Sequence, residues 1–531
     1  MMASLFRSLC CMRASPSSST DPPPPPPRPR PGPRLRPAVI ARLPVPRLGQ
    51  EPSALLPRPH QHEGGDSPPR LRAERLVEHD EKFCIAVRPD IMLSNENNPS
   101  SVNTTHYAMA IAKIPFDDER LPIIVSGGGC VGLFLALLLA QSPIPNRVLV
   151  VEPQHPDPAS TRAMAHQPPT FPLFAQVPGL LHELFAAGSL SSGICFRTSV
   201  KNGSQVIASK TFNNEAEGLK GKGQLLLPQG KFQNILMGRL ATVEGRAEVR
   251  LGWCVEGFTQ SDSGDSVSVQ VASPTGQTEY INAAYLVGAD GAHSCVRKCA
   301  GIELLGETLD RQLVATDLRF PFKEHGFLDA NFIVDPDDYG LVGRIDNTDL
   351  WRVSYGVPSS QTEEDIQAGL HEKLHCMLPS EGKNADGHDA FEVVRVAPYK
   401  AQQRCASTFA KGRVLLVGDA AHLTNPYAGL GLASGMADAD SLAPILSHIL
   451  SGKANDAARL LSSWSVARRH KFADVVDKPS RVAYARVRSK TGSQEDVDAL
   501  VERDPLVKGL RTGMPVMPPS LRTVGEDLDG W

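Results

Sequence analysis

No apolar run in this chain approaches the roughly 18 residues that a membrane-spanning helix needs. The longest, Val131 to Ala140, suits the buried helix of a nucleotide-binding unit instead, so no integral membrane segment is expected. Charge of one sign is missing too. Lys and Arg number 55 against 58 Asp and Glu, a formal net charge of -3, which offers no basic surface for nucleic acid. Paired cysteines are absent: the ten are scattered without a single CxxC. That excludes a disulfide frame and a zinc site, and points to reduced, mostly buried thiols in a reducing compartment. Cys295 and Cys299 stand four apart with no second pair nearby, so no metal is expected.

Proline is abundant, but in one place. Pro22 to Pro27 is unbroken, and Pro-Arg pairs continue to Arg47. Proline lacks the amide donor, and apolar periodicity is absent there, so no packed element is expected over 1–118. Between Met1 and Gln50 stand eight arginines and one acid, Asp21. An arginine-rich, acid-poor start has the composition of a mitochondrial transit peptide, but proline breaks the amphipathic helix such peptides form. The reading is a disordered Pro/Arg-rich extension or a mis-assigned first exon. The expected compartment is the cytoplasm, with mitochondria as the alternative.

From Leu121 strand and helix patterns alternate. Ile123-Ile124-Val125 runs into Gly127-Gly128-Gly129-Cys130-Val131-Gly132, then an apolar helix, then Arg147 to Glu152, one βαβ unit of about 30 residues. Gly127 permits the turn off the strand. Gly129 lets the backbone approach a pyrophosphate at the helix N-terminus, and Gly132 lets helix and strand pack closely. Glu152 ends the second strand, where a carboxylate hydrogen-bonds an adenosine ribose and disfavours a 2′-phosphate. The bound dinucleotide is therefore FAD or NAD rather than NADP.

Two further segments decide between them. Gly288-Ala289-Asp290-Gly291-Ala292-His293-Ser294 follows a strand pattern, and Val414 to Val417 delivers Gly418-Asp419-Ala420-Ala421-His422. A carboxylate at such a strand tip accepts hydrogen bonds from a polyol, and FAD carries a ribityl chain whereas NAD does not. Pro426, Gly429 and Gly431 form a small-residue loop ahead of a helix expected over Ser434 to Leu450. The amides of that loop suit the pyrimidine end of a flavin.

With these three segments, in this order, the sequence resembles the FAD-dependent aromatic hydroxylases, the para-hydroxybenzoate hydroxylase-like group A flavin monooxygenases. The resemblance spans about Leu121 to Lys478. It adds Arg162, which precedes Ala163 where the family has an arginine near the flavin, and Gln229, ahead of Phe232 and Leu236, which matches a cofactor-contacting side chain. The cofactor set it implies is Gly127, Gly129, Gly132, Glu152, Arg162, Gln229, Asp290, Asp419, Gly431 and Leu432, with no catalytic residue assigned. The family's late loop usually carries glutamine and asparagine. Here it reads Gly429-Leu430-Gly431-Leu432-Ala433-Ser434-Gly435, closer to a fungal secondary-metabolism subgroup.

The implied fold class is α/β: a Rossmann-like FAD-binding domain with a parallel sheet, interrupted by a β-sheet-rich substrate domain. The expected boundaries are 119–304 for the first part of the FAD domain, with substrate-domain strands near 190–225, then 305–400 for the β-rich domain. The second part of the FAD domain with its helices follows over 401–480, and a C-terminal tail over 481–531. The implied activity is monooxygenation of an aromatic or polyketide-like small molecule by FAD, with NAD(P)H as co-substrate and O2 as oxidant. Two within-class alternatives share the scaffold, an epoxidase and a halogenase, although the halogenase's tryptophan motif is not found near Gly132. A non-catalytic FAD-binding regulatory protein is the alternative from another class. Oligomeric state is not legible.

Several residues invite functional readings that plainer ones outweigh. His422 more often orders its turn than acts as an acid-base catalyst. Arg297 is equally a phosphate ligand or a structural partner of Asp290. Arg468-Arg469 reads as a solvated basic face. Tyr339, Tyr355 and Trp351 are as well explained by core packing as by a substrate wall.

Overall fold

The computed structural model describes residues 119–243, 245–513 and 520–531. The Pro/Arg-rich extension expected over 1–118 lies outside them.

Four short apolar strands, buried but for Glu152, form the middle of a six-stranded sheet whose two edge strands are more exposed. Its order is Ala410–Lys411, Val414–Leu416, Tyr285–Gly288, Ile123–Ser126, Val148–Glu152 and Ala247–Leu251. The last five pair in parallel, and Ala410–Lys411 closes one edge antiparallel. Continuous Val/Ile/Leu runs are what a sheet covered on both faces demands. The helix Cys130–Ala140 is correspondingly apolar all round, with nine of its eleven residues buried. It packs against the helices Gln229–Ala241 and Gly431–Leu450, so no face of it needs polar residues.

A three-stranded antiparallel meander (Cys254–Gln260, Val267–Ala272, Thr278–Ala283) leads back into the parallel sheet. The chain then builds a second, eight-stranded sheet. Its backbone is the pair Leu304–Arg319 and Glu392–Ala406, flanked by Leu350–Pro358, Gly340–Arg344 and Ala330–Val334. The earlier strands Gly193–Thr198 and Val206–Thr211 extend one edge. The pairing of Leu304–Arg319 with Glu392–Ala406 shifts register between Thr308 and Gln312 and between Asp317 and Leu318, irregularities of the kind that bend so long a strand. The α/β class with its parallel sheet and β-rich insertion holds.

Residues 481–513 are not a tail. Lys478–Val487, Gln494–Arg503 and Pro505–Thr512 are helices. Leu500 and Val507 are buried against Phe196, Ile207 and Val334, and Thr491 donates to the Val334 carbonyl at 2.7 Å. Their amphipathic spacing is pronounced, but each helix is charged over most of its surface, so composition alone hid it. The helix expected from Ser434 begins one turn earlier, at Gly431.

Candidate functional site

All three glycine-bearing turns leave the carboxyl ends of adjacent parallel strands, and they touch one another. A Cβ on Gly127, whose φ is +107°, would lie 2.5 Å from the Ala289 carbonyl oxygen; one on Gly132 would lie 2.0 Å from the Gly127 oxygen. Only glycine fits either place. A Cβ on Gly435 would lie 2.7 Å from Val131 and 3.1 Å from Gly418, so the first and third turns are also in contact. In sheet order the turns follow Val414–Leu416, Tyr285–Gly288, Ile123–Ser126 and Val148–Glu152. At about 4.8 Å per strand the outer two stand roughly 14 Å apart. This is the edge where open α/β sheets receive ligands.

At one end, Glu152 holds the fingerprint loop. Its Oε2 accepts from the Gly128 amide at 2.6 Å and its Oε1 from the Gln154 amide at 2.9 Å. Gln233 donates to the Gly128 carbonyl at 2.9 Å and accepts from Gln229 at 3.2 Å. Gln229 Oε1 in turn accepts from the Ala163 amide at 3.3 Å. Gln229 therefore reaches the fingerprint through Gln233, a residue the sequence reading missed although it lies one helical turn on. Between these groups Gly129 caps its helix with no side-chain hydrogen bond, and a Cβ there would meet nothing within 4 Å. Bare amides at a helix N-terminus face open space, as an anion requires.

In the centre, Asp290 Oδ2 accepts from the Val296 amide at 3.1 Å. Its Oδ1 is buried without a partner among the described residues. Arg297 is 5% exposed and donates to the Ala292 carbonyl at 2.9 Å and to the Ala420 carbonyl at 2.8 Å. Of its two open readings the structural one holds, with backbone carbonyls rather than the Asp290 carboxylate as partners.

At the other end stands Asp419. Its surface is exposed, yet the surrounding protein is dense enough that burial raises its pKa, with the His422 charge opposing. The Asp419 charge is also felt at the Cys130 thiol, which burial foremost pushes up to about 12. Asp438, missed by the sequence reading, secures this turn from below. Its Oδ2 accepts from the Gly418 amide at 3.0 Å and lies 2.7 Å from His422 Nε2; its Oδ1 accepts from Arg468 Nε at 2.7 Å. Burial would raise the Asp438 carboxyl, but His422 and Arg468 together hold it below the usual range.

Arg468 overturns its expectation. It is 1% exposed, and it also donates to the Ser434 and Leu521 carbonyls at 3.2 and 2.6 Å. A charge can be buried here because it is fully partnered. Its spacing from the buried Leu461 and Trp464 places it on the inner face of its helix, and that was the available signal. His422 orders its turn, as the plainer reading has it. Tyr339, Tyr355 and Trp351 are at most 2% exposed and belong to hydrophobic clusters.

Gly431 and Leu432 open the helix Gly431–Leu450, whose first turn has no side-chain cap, so its leading amides are free. Arg162 is exposed; only its carbonyl is engaged, by Arg352 at 3.1 Å. None of the predicted cofactor residues lines the cavity of about 730 Å³ bordered by Arg319, Phe322, Trp351 and Phe391. Nor are the thiols mostly buried: of the seven free cysteines described, only Cys130 and Cys195 are.

The arrangement fits a flavin dinucleotide on three observations: the bare Gly129 cradle, the orphaned Asp290 oxygen, and Asp419, whose carboxylate has no partner among the described residues. Comparison with known proteins agrees. The FAD binding domain family matches residues 120–478. The chain belongs to the FAD-dependent aromatic hydroxylase family. It is 35% identical over 350 residues to para-nitrophenol 4-monooxygenase of Pseudomonas sp. strain WBC-3, covering 66% of this chain and 83% of that one. It is 33% identical over 357 residues to the 6-hydroxy-3-succinoylpyridine 3-monooxygenase HspB of Pseudomonas putida, covering 67% and 86%. The crystal structure of p-nitrophenol 4-monooxygenase PnpA from Pseudomonas putida superposes with a TM-score of 0.66 at 31% identity, covering 74% of this chain and 96% of that one. Among the described residues no helix is long and apolar enough to cross a membrane.

Proposed function

We infer that this hydroxylase-family protein is an NAD(P)H- and O2-dependent monooxygenase that adds one oxygen atom to a phenol-like ring, free or within a larger aromatic skeleton. The observation that carries the reading is the convergence of three turns on one sheet edge, with a carboxylate at each end. The aromatic substrates named for para-nitrophenol 4-monooxygenase and for HspB support the substrate class. FAD held by these residues would supply the redox chemistry between NAD(P)H, O2 and the ring.

The chain's own residues bind and orient it. Glu152 holds the adenosine ribose while keeping Gly128 in place. Gly127 and Gly132 shape the turn, and the amides around Gly129 take the pyrophosphate. Asp290, through its free oxygen, and Asp419 take the polar groups between pyrophosphate and ring. The amides of Gly431 and Leu432, at the positive end of a twenty-residue helix, favour negative charge at the pyrimidine edge. Gln229 supports the fingerprint through Gln233, and Arg162 reaches the cofactor from its exposed position.

The test is NAD(P)H oxidation by the purified, FAD-loaded chain across a panel of phenols, with products weighed by mass spectrometry. Substrate-stimulated oxidation with a gain of one oxygen atom is expected. A colourless protein that takes up no flavin would sink the assignment, and a product carrying halogen would redirect it.

A further inference from the structure

One pair of reactive side chains lies beside the proposed flavin site and plays no part in it. Cys295 and Cys299 occupy the two ends of a single helical turn, Cys295–Cys299, immediately after the Asp290 loop. Their sulfurs are 3.7 Å apart. Both converge on one acceptor, the Glu256 carbonyl, at 3.5 and 3.7 Å. Cys299 is exposed and Cys295 half-buried. Cys195 and Cys130, by contrast, are buried.

We propose that Cys295 and Cys299 form a peroxide-responsive dithiol whose closure to a disulfide loosens the Asp290 turn. The step balances with hydrogen peroxide as oxidant. The exposed Cys299 sulfur attacks one peroxide oxygen, the O–O bond breaks, water leaves, and a sulfenic acid forms. The Cys295 sulfur then displaces the second oxygen as water, and an S–S bond forms. Two thiols lose two electrons and two protons, and one peroxide yields two waters. A sulfur 3.7 Å away lets the sulfenic acid be captured before further oxidation. Burial foremost, with Cys299 adjacent, pushes the Cys295 thiol up to about 11, which leaves the exposed Cys299 as the sulfur that meets peroxide first.

Closure cannot leave the turn unchanged. A disulfide needs its Cβ atoms about 3.5–4.5 Å apart, whereas helical neighbours at i and i+4 hold theirs at roughly 5–6 Å. The helical turn Cys295–Cys299 must tighten, and the residues inside it are Val296, whose amide holds Asp290 Oδ2, and Arg297, which ties Ala292 to Ala420, so its tightening pulls on both holds of the Asp290 turn. The effect on flavin rests on the cofactor reading above; the cross-link itself does not.

The experiment treats the FAD-loaded full chain with a graded series of hydrogen peroxide. It then follows flavin release by fluorescence and maps cysteines by alkylation and mass spectrometry, alongside Cys299→Ser. The expected result is a reducible Cys295–Cys299 link that forms before Cys130 or Cys195 changes, with severalfold faster flavin release that a thiol reductant reverses. Cys299→Ser should bind flavin normally and show neither response. Both cysteines still alkylatable after peroxide, or Cys299 carried to sulfinic acid alone, would overturn the dithiol. A link that forms without changing flavin release would overturn the coupling. Failure of the untreated protein to hold flavin at all would instead count against the cofactor assignment and leave the cross-link to be judged by mass alone.

Discussion

Arg297 donates to the Ala420 carbonyl at 2.8 Å from 123 residues away, and its other arm holds Ala292. A single buried guanidinium thus fastens the second turn of the site to the third. Its pKa is lowered, by burial first and against the favourable charge of Asp290, so the site carries this cation at a cost and keeps it through geometry. Arg297→Met should leave two carbonyls unpaired, at about 1–3 kcal/mol each. The expected outcome is a lower urea midpoint together with weakened FAD retention. Arg297→Lys, which cannot reach both carbonyls, should recover only part of the loss. Unchanged stability in both variants would show that the turns are held by something else.

Gly129 and Gly132 should separate binding from folding. A Cβ at position 129 meets no protein atom within 4 Å, while one at 132 would sit 2.0 Å from a carbonyl oxygen. Gly129→Ala should fold with a near-parental melting temperature but bind FAD at least tenfold more weakly, because its methyl group enters the space the cofactor occupies. Gly132→Ala should lose stability by about 1–3 kcal/mol or more, since the atom it strikes is backbone. Calorimetry of the FAD-free proteins and fluorescence titration of FAD make the comparison. Equal behaviour of the two variants would contradict it.

These glycines were legible because their reason is local: a turn, a close approach and a strand-to-helix packing contact all lie within a dozen residues. The parallel sheet was legible for a similar reason, since fully buried strands announce themselves as unbroken apolar runs. Asp438 and Arg468 were not. Their meaning arises only when two helices 30 residues apart in sequence pack face to face, and next to Arg469 the arginine looked like part of a charged surface. The C-terminal helices were hidden likewise, because each buries only one to three apolar residues among many charged ones. Arg162 shows the opposite case: its place came from the family resemblance, and its exposed side chain is held by no contact among the described residues.

The Asp438 cluster yields a prediction with a definite pH dependence. The carboxyl is held below its ordinary value of 3.8, so its contribution is complete above that value and is lost as pH falls through the lower folded-state one. Asp438→Asn leaves Arg468 buried without its anion and should cost about 3–5 kcal/mol at pH 7. The gap between parent and variant should stay constant from neutral pH to about pH 5 and narrow only below pH 4. Urea denaturation at a series of pH values measures it. A gap that closes near pH 6 would instead assign the effect to histidine titration.

Asp419 carries the sharpest conflict between stability and function. Burial raises its pKa above 3.8, the reverse of Asp438. In the FAD-free protein the carboxyl therefore favours folding only while protonated, and stability falls as pH rises from about 4 through its folded-state value. At neutral pH the ionised group is a liability until a ligand's hydroxyls donate to it. Asp419→Asn should accordingly raise the melting temperature of the FAD-free protein at pH 7 and lose that advantage in acid. It should also weaken FAD binding by about 1–3 kcal/mol, or roughly 5- to 150-fold, because an amide accepts less strongly than a carboxylate. Calorimetry with and without FAD tests both signs. A variant that is destabilised without FAD, or that binds it as tightly as the parent, would show that Asp419 serves the fold rather than the cofactor.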